Sequence, residues 1–161
     1  MSEDFRSPVD YPEPFRELAV ELANSAARSL CIQSPLLDRE VFDNEALSDA
    51  LRSLARGGRQ TEARILINDS RPLVQRGHRL LQLARRIPSN LQIRRLRDHP
   101  DWNGETVVIR DRDGVLYQPG GTEKRGFYEP DSRASTQRHL ERFDELWRLG
   151  TVDTELRTLS L

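Results

Sequence analysis

A chain of 161 residues, 36% hydrophobic and 32% charged, is polar on average yet long enough to bury the core of one domain. Its formal net charge of −1 excludes a global electrostatic pull toward nucleic acid, and no run approaches the roughly 18 apolar residues of a membrane span. The single cysteine, Cys31, excludes a disulfide framework and a cysteine metal site.

The first residues, 1–11, are polar and carry Pro8, so a loose N-terminal arm is expected, followed by one domain over 12–150 and a short tail over 151–161. Met1 to Phe5 shows neither a basic flank nor an apolar run, which leads to the expectation of a cytoplasmic protein. Residues 12–28 predict a helix, with Phe15, Leu18, Ala19, Leu22 and Ala26 on one face. Residues 29–34 read as a short strand with Leu30 and Ile32 on one side and Cys31 on the other. A loop over 35–38 follows. Asp43 or Asn44 caps the next helix, whose inward face is Ala46, Leu47, Ala50, Leu51 and Leu54, and Gly57-Gly58 ends it.

The central stretch is residues 61–96. The apolar run 62–67 predicts a strand, residues 71–86 one continuous helix, and residues 91–96 a second strand. That order is a βαβ unit with parallel strands. Its helix buries Leu73, Val74, Leu80, Leu81 and Ala84, with His78 on the flank of the stripe. Residues 71–97 hold eight Arg and no acidic residue. Arg accounts for every basic residue except Lys124, which fits an Arg-rich codon usage and weakens any argument from Arg number alone. After a polar loop with His99, Asp101 and Trp102, residues 106–109 and 115–117 form a hairpin around the Asp113-Gly114 turn. A polar loop spans 118–126, and 126–129 reads as a short edge strand. Asp131 or Ser132 caps a last helix bearing Leu140, Phe143, Leu146 and Trp147, ended by Gly150. Alternation of this kind predicts an α/β layered fold, a mixed sheet flanked by helices.

At this point the order of parts resembles one half of the phospholipase D superfamily, over about residues 26–148. The strand SLCIQSPLLD comes first. A helix ending Ala55-Arg56-Gly57-Gly58 leads into the strand 63–67, the hairpin ETVVIRDRDGVLY follows, and the last helix holds Phe143 and Trp147 in a Phe-x-x-x-Trp ending. The resemblance implies a His-x-Lys-x4-Asp motif in which His attacks phosphorus, Lys stabilises the phosphoryl oxygens and Asp orients a His. The matching positions here are Asn103, Glu105 and Arg110. Asn is no nucleophile, Glu repels phosphate, and Arg cannot act as a carboxylate. The resemblance therefore implies the fold with the phosphodiesterase site lost, a pseudoenzyme. Family members with one such half pair, which implies a homodimer. A narrower resemblance, over residues 71–94, is to an uncharacterised bacterial domain found beside acetyltransferase domains, and implies a role accessory to an acyltransferase.

Candidate binding residues are Asn68 and Asp69, at the C-terminal end of a central strand where α/β sheets gather ligands. His78 with Arg79 offers an anion fork, and His99 with Asp101 a polar loop. Each has a plainer reading: Asp69 or Ser70 as a helix cap, His78 bonded to a carbonyl, Trp102 covering the core. Three scattered His and a buried Cys give no metal spacing, and no cofactor is expected. Two function classes stay open. One is a non-enzymatic module that binds a partner protein or a small anionic ligand. The other is a phosphodiesterase- or hydrolase-like enzyme whose chemistry has moved to His78 or His99. Nucleic-acid binding through residues 71–97 is a weaker third reading, since no aromatic residue lies there to stack on bases.

Overall fold

The computed structural model describes residues 5–121 and 125–157. The first four residues of the expected arm, the middle of the 118–126 loop with Lys124, and the last four residues of the tail lie outside these. The elements are β1 (Arg6–Val9), α1 (Phe15–Ser25), β2 (Ser29–Gln33), α2 (Arg39–Phe42), α3 (Glu45–Ala55), β3 (Glu62–Ile67), α4 (Arg71–Arg76), α5 (Arg79–Arg86), β4 (Leu91–Arg95), β5 (Thr106–Arg110), β6 (Gly114–Gln118), β7 (Gly126–Glu129), α6 (Arg133–Leu149) and α7 (Thr154–Arg157).

The strands form one sheet in the order β1-β7-β6-β5-β2-β3-β4. Strands β2, β3 and β4 run parallel, with Ile32 opposite Ile65 and Ile65 opposite Ile93. Strand β5 lies antiparallel to β2, placing Val108 opposite Ile32, and β6 and β7 continue antiparallel. Period-two alternation sorts the strand residues onto two faces. Leu30, Ile32, Ala63, Ile65, Ile67, Ile93, Val108 and Leu116 join α1, α3, α4 and α5 in the larger core. Cys31, Leu66, Val107, Ile109 and Val115 meet Phe143, Leu146 and Trp147 of α6 on the other face. This is the layered, mixed-sheet α/β fold expected from the alternation of elements.

Local signals account for the boundaries. Asn44 is the cap of α3, its side-chain oxygen accepting the Leu47 N–H at 2.8 Å, and Ser132 caps α6 through the Ser135 N–H. Two expectations need correction. The arm is not wholly loose: Arg6–Val9 pairs with β7 as a terminal strand, where Pro8 is tolerated because an edge residue need not donate to a ladder. The helix over 71–86 is two helices. Gly77 turns at φ 74, where a side chain is strained, and the chain restarts at His78. The described part of the tail packs through a helical turn: Thr151 exchanges backbone hydrogen bonds with Arg95, and Leu156 of α7 enters the larger core. Among the described residues no helix is long and apolar enough to cross a membrane.

Candidate functional site

The parallel strands bring residues 34, 68–70 and 96–98 to one sheet edge, and the antiparallel β5 starts at that same edge with Glu105 just before it. Ser34 is fully buried, and its hydroxyl accepts the Leu37 N–H at 3.1 Å. Asn68 donates its amide to the Leu96 carbonyl at 2.9 Å, tying the end of β3 to the end of β4. Asp69 accepts the backbone N–H of Arg71 at 3.0 Å and its guanidinium at 2.8 Å, which pulls the carboxyl down to about 2. Ser70 sits at the head of α4, but its hydroxyl donates to Asp153 at 2.9 Å rather than capping the helix. Asp153 is held below the usual carboxylate range by the Glu155 N–H, then by Ser70, Arg95 and Arg97.

Asn68, Asp69, Ser70, Arg71, Arg95 and Arg97 line a groove of about 610 Å³, together with Asp98, Asp153 and Glu155. Its charge is mixed, but not all of it is free. Arg71 is engaged by Asp69, and Arg95 lies 3.6 Å from Asp153. Arg97 makes no ion pair or hydrogen bond among the described residues, so it is the guanidinium best placed to meet an anion there.

The other expected site residues do not join this groove. His78, 3% exposed, is the N-cap of α5: Nδ1 accepts the Leu80 N–H at 3.1 Å and Nε2 lies 3.1 Å from the Leu37 carbonyl. The pair of partners fixes the neutral tautomer with its proton on Nε2. Burial pushes His78 below its ordinary value. Arg79 ion-pairs with Asp43 at 3.2 Å. His78 lines a separate cleft of about 690 Å³ with Tyr11, Asp38, Arg39 and Arg76, and His99 is not part of that lining. His99 organises its own loop, Nδ1 accepting the Asp101 N–H at 3.1 Å and its carbonyl the Trp102 N–H at 3.0 Å. The Asp101 carbonyl accepts from Arg142, and Trp102 is 6% exposed in the core under α6. His78 and His99 are thus local caps on different loops.

The three motif positions do not converge either: Asn103 and Glu105 share a loop, and Arg110 lies apart from them. Glu105 turns back on its own loop, accepting the Asn103 N–H at 2.9 Å, while its carbonyl takes the Trp102 indole N–H. Arg110 ends the same strand, five residues or roughly 17 Å away. There it donates to Ser25 at 2.9 Å, to Asp113 at 3.0 Å and to the Pro130 carbonyl. Asp111 directly follows Arg110. In the structure Asp111 is a structural anchor, accepting the N–H groups of Ala27, Arg28 and Ser29. Its φ of 48 directly after β5 is a backbone that Asp tolerates better than most residues, and an Asp between a strand and a turn was the sign that the sequence offered.

The fold is similar to that of several solved structures. One is TrmBL2, an archaeal chromatin protein whose structure shows a novel mode of DNA binding: TM-score 0.62, 13% identity, over 86% of this chain and 51% of that one. The chain thus spans about half the length of TrmBL2. A second is Nuc from Salmonella typhimurium, a phospholipase D family member: TM-score 0.58, 17% identity, over 84% of this chain and 88% of that one. A third is NucT from Helicobacter pylori: TM-score 0.57, 13% identity, over 93% of this chain and 100% of that one. At such identities the likeness is one of fold. No curated protein matches the sequence. Neither these neighbours nor the family description carries the acetyltransferase association that the narrower resemblance implies. A family model described as a domain of unknown function, DUF7931, matches residues 11–159. The chain belongs to the DUF7931 family, built on a phospholipase D-like fold.

Proposed function

We propose that this domain is a non-catalytic phospholipase D-like module that acts by binding a partner protein or an anionic ligand. One observation carries the reading. At the positions where the resemblance requires a nucleophilic His and a phosphate-holding Lys, the chain has Asn103 and Glu105, and Glu105 is engaged in closing its own loop. A carboxylate there repels a phosphodiester, and the Asn103 amide is no nucleophile. The anionic ligand is assigned to the groove of Asn68, Asp69 and Arg97. The test is hydrolysis of bis(p-nitrophenyl) phosphate and of plasmid DNA by purified protein. The expected result is no turnover above buffer. Turnover that disappears in a His99→Ala or His78→Ala protein supports the relocated enzyme and overturns this reading.

A second reading, nucleic-acid binding, is favoured by the likeness to TrmBL2, whose structure is described as binding DNA. Against it, most guanidiniums of residues 71–97 have internal partners: Arg71 with Asp69, Arg79 with Asp43, Arg95 with Asp153, and Arg85 and Arg94 with backbone carbonyls. Binding that falls steeply with salt supports the nucleic-acid reading, and binding that does not removes it.

A further inference from the structure

The sheet ends at β4, and among the described residues the outer edge of that strand is only partly closed. Backbone accounting locates the opening. The even-numbered residues of β4 bond to β3, as the flanking pairs Ala63 N–H to Asn90 carbonyl and Leu96 N–H to Ile67 carbonyl require. The odd-numbered residues face outward. Arg95 exchanges two hydrogen bonds with Thr151, and the Leu91 N–H is taken by the Ile87 carbonyl. Among the described residues this leaves the Ile93 N–H, the Ile93 carbonyl and the Leu91 carbonyl without a partner. Ile93 is 5% exposed, so these groups are mostly withheld from solvent as well. Buried backbone groups without partners are rare and costly.

A groove of about 540 Å³ opens onto this edge. On the α5 side its lining is apolar, with Leu91, Ile93, Ala84, Pro88 and Leu156. Val152, 40% exposed, flanks it. On the α6 side it is Gln92 and Arg94, and among the described residues the charged ones of the lining are Arg85 and Arg94. Arg94 lies over the Trp147 ring at 4.3 Å and donates one N–H to the Trp147 carbonyl, with the rest of its fork still available.

We propose that the β4 edge is a docking site for an extended peptide segment of a partner protein, one that alternates apolar and acidic side chains. Such a segment adds as a strand. Its main chain pairs with Leu91 and Ile93, its apolar side chains enter the Leu91–Ile93–Leu156 side, and its carboxylates meet Arg94. Positive charge on the edge disfavours a second copy of this chain, whose own Arg94 would face the first. The site lies apart from the anion groove, and the proposal goes beyond the binding-module reading. It stands whether or not the domain is catalytic.

The experiment uses the unaltered protein and an acetylated heptapeptide alternating valine and glutamate, followed by NMR amide shifts and hydrogen exchange. Strand addition predicts that the Ile93 amide gains protection on binding. It also predicts an asymmetry. In a strand, alternate residues point their N–H groups to the same edge, so N-methylating one alternate set lowers affinity about tenfold or more. N-methylating the other set changes it less than about threefold. Replacing glutamate by lysine abolishes binding. Equal effects of the two methylated sets, an unprotected Ile93 amide, or undiminished binding of the lysine peptide would overturn the proposal.

Discussion

Asp111 and Ser29 hold each other by two hydrogen bonds across 82 residues of chain. The Asp111 carboxylate accepts the Ser29 N–H at 2.9 Å, and the Ser29 carbonyl accepts the Asp111 N–H at 3.0 Å. The same carboxylate takes the N–H groups of Ala27 and Arg28, so it gathers the chain as it leaves α1 and enters β2. Three N–H donors on one carboxylate are charge-assisted bonds, but the cluster is mostly solvent-facing, which discounts their strength. Asp111→Ala is expected to cost about 2 kcal/mol in denaturant unfolding, combining lost bonds with a non-glycine residue at φ 48. Asp111→Asn keeps an acceptor and tolerates the same backbone, so it should cost about half as much.

His78 makes stability depend on pH. Its Nδ1 must be unprotonated to accept the Leu80 N–H, and its Nε2–H holds the Leu37 carbonyl, at a residue of φ 52. Burial lowers its folded value, so the unfolded chain takes up the proton first as pH falls. The stabilisation is therefore full above the unfolded value of about 6.5. It is lost progressively as pH falls from there toward the lower folded value. His139, also lowered first by burial and then by Arg138, adds a slope of the same sign. Denaturant melts at pH 7.5 and 5.5 should show a smaller difference for His78→Gln than for the parent protein. The His139→Gln protein separates the two contributions. An unchanged slope in the His78 variant would show that the ring is not buried neutral.

The strands were legible because their alternation was clean. Val107 and Ile109 fall on one face and Val108 on the other, as period two demands. The break between α4 and α5 was not read because the apolar spacing runs through it: Leu73 and Leu80 are two turns apart on one notional helix. Gly77 was the available signal, and it was outweighed by the stripe. Strand β1 was hidden for a different reason. Its residues Arg6, Ser7 and Pro8 are polar or ladder-poor, and what makes them a strand is β7, 120 residues later in the chain. The candidate residues divide for a similar reason. Asn68 and Asp69 line the strand-end groove, whereas the break at Gly77 lets the His78 ring turn to the Leu37 carbonyl and line a separate cleft.

Arg64 is a part-buried charge on the α6 face. Its guanidinium lies 5.0 Å from the Phe143 ring centre and 5.7 Å from that of Trp147, and it pairs with Asp144 at 2.9 Å. Lys has neither the plane to stack nor the fork to bridge Asp144 and the Cys31 sulfur. Arg64→Lys should destabilise the domain by about 1–3 kcal/mol. The neighbouring Cys31 thiol is pushed up to about 12 by burial, against the opposing pull of Arg64. It should therefore react with Ellman's reagent only as fast as the protein opens. Reaction at the rate of a free thiol in native buffer would contradict this packing.

The strand-end groove makes its own prediction about which cation matters. Arg71 already faces Asp69 through its backbone N–H and its guanidinium, so an incoming anion must compete with a carboxylate for it. Arg97 has no such competitor within ion-pair distance among the described residues, although Asp98 and Asp153 share the groove. Inorganic pyrophosphate should therefore lose about tenfold in affinity on Arg97→Ala, the loss of a charge-assisted contact worth about 1.5 kcal/mol, and only about twofold on Arg71→Ala. Titration calorimetry at low ionic strength reads both. Asp69→Asn releases Arg71 and should raise the affinity instead, because the same guanidinium then has only the anion to meet. If all three variants bind pyrophosphate alike, the groove is not an anion site.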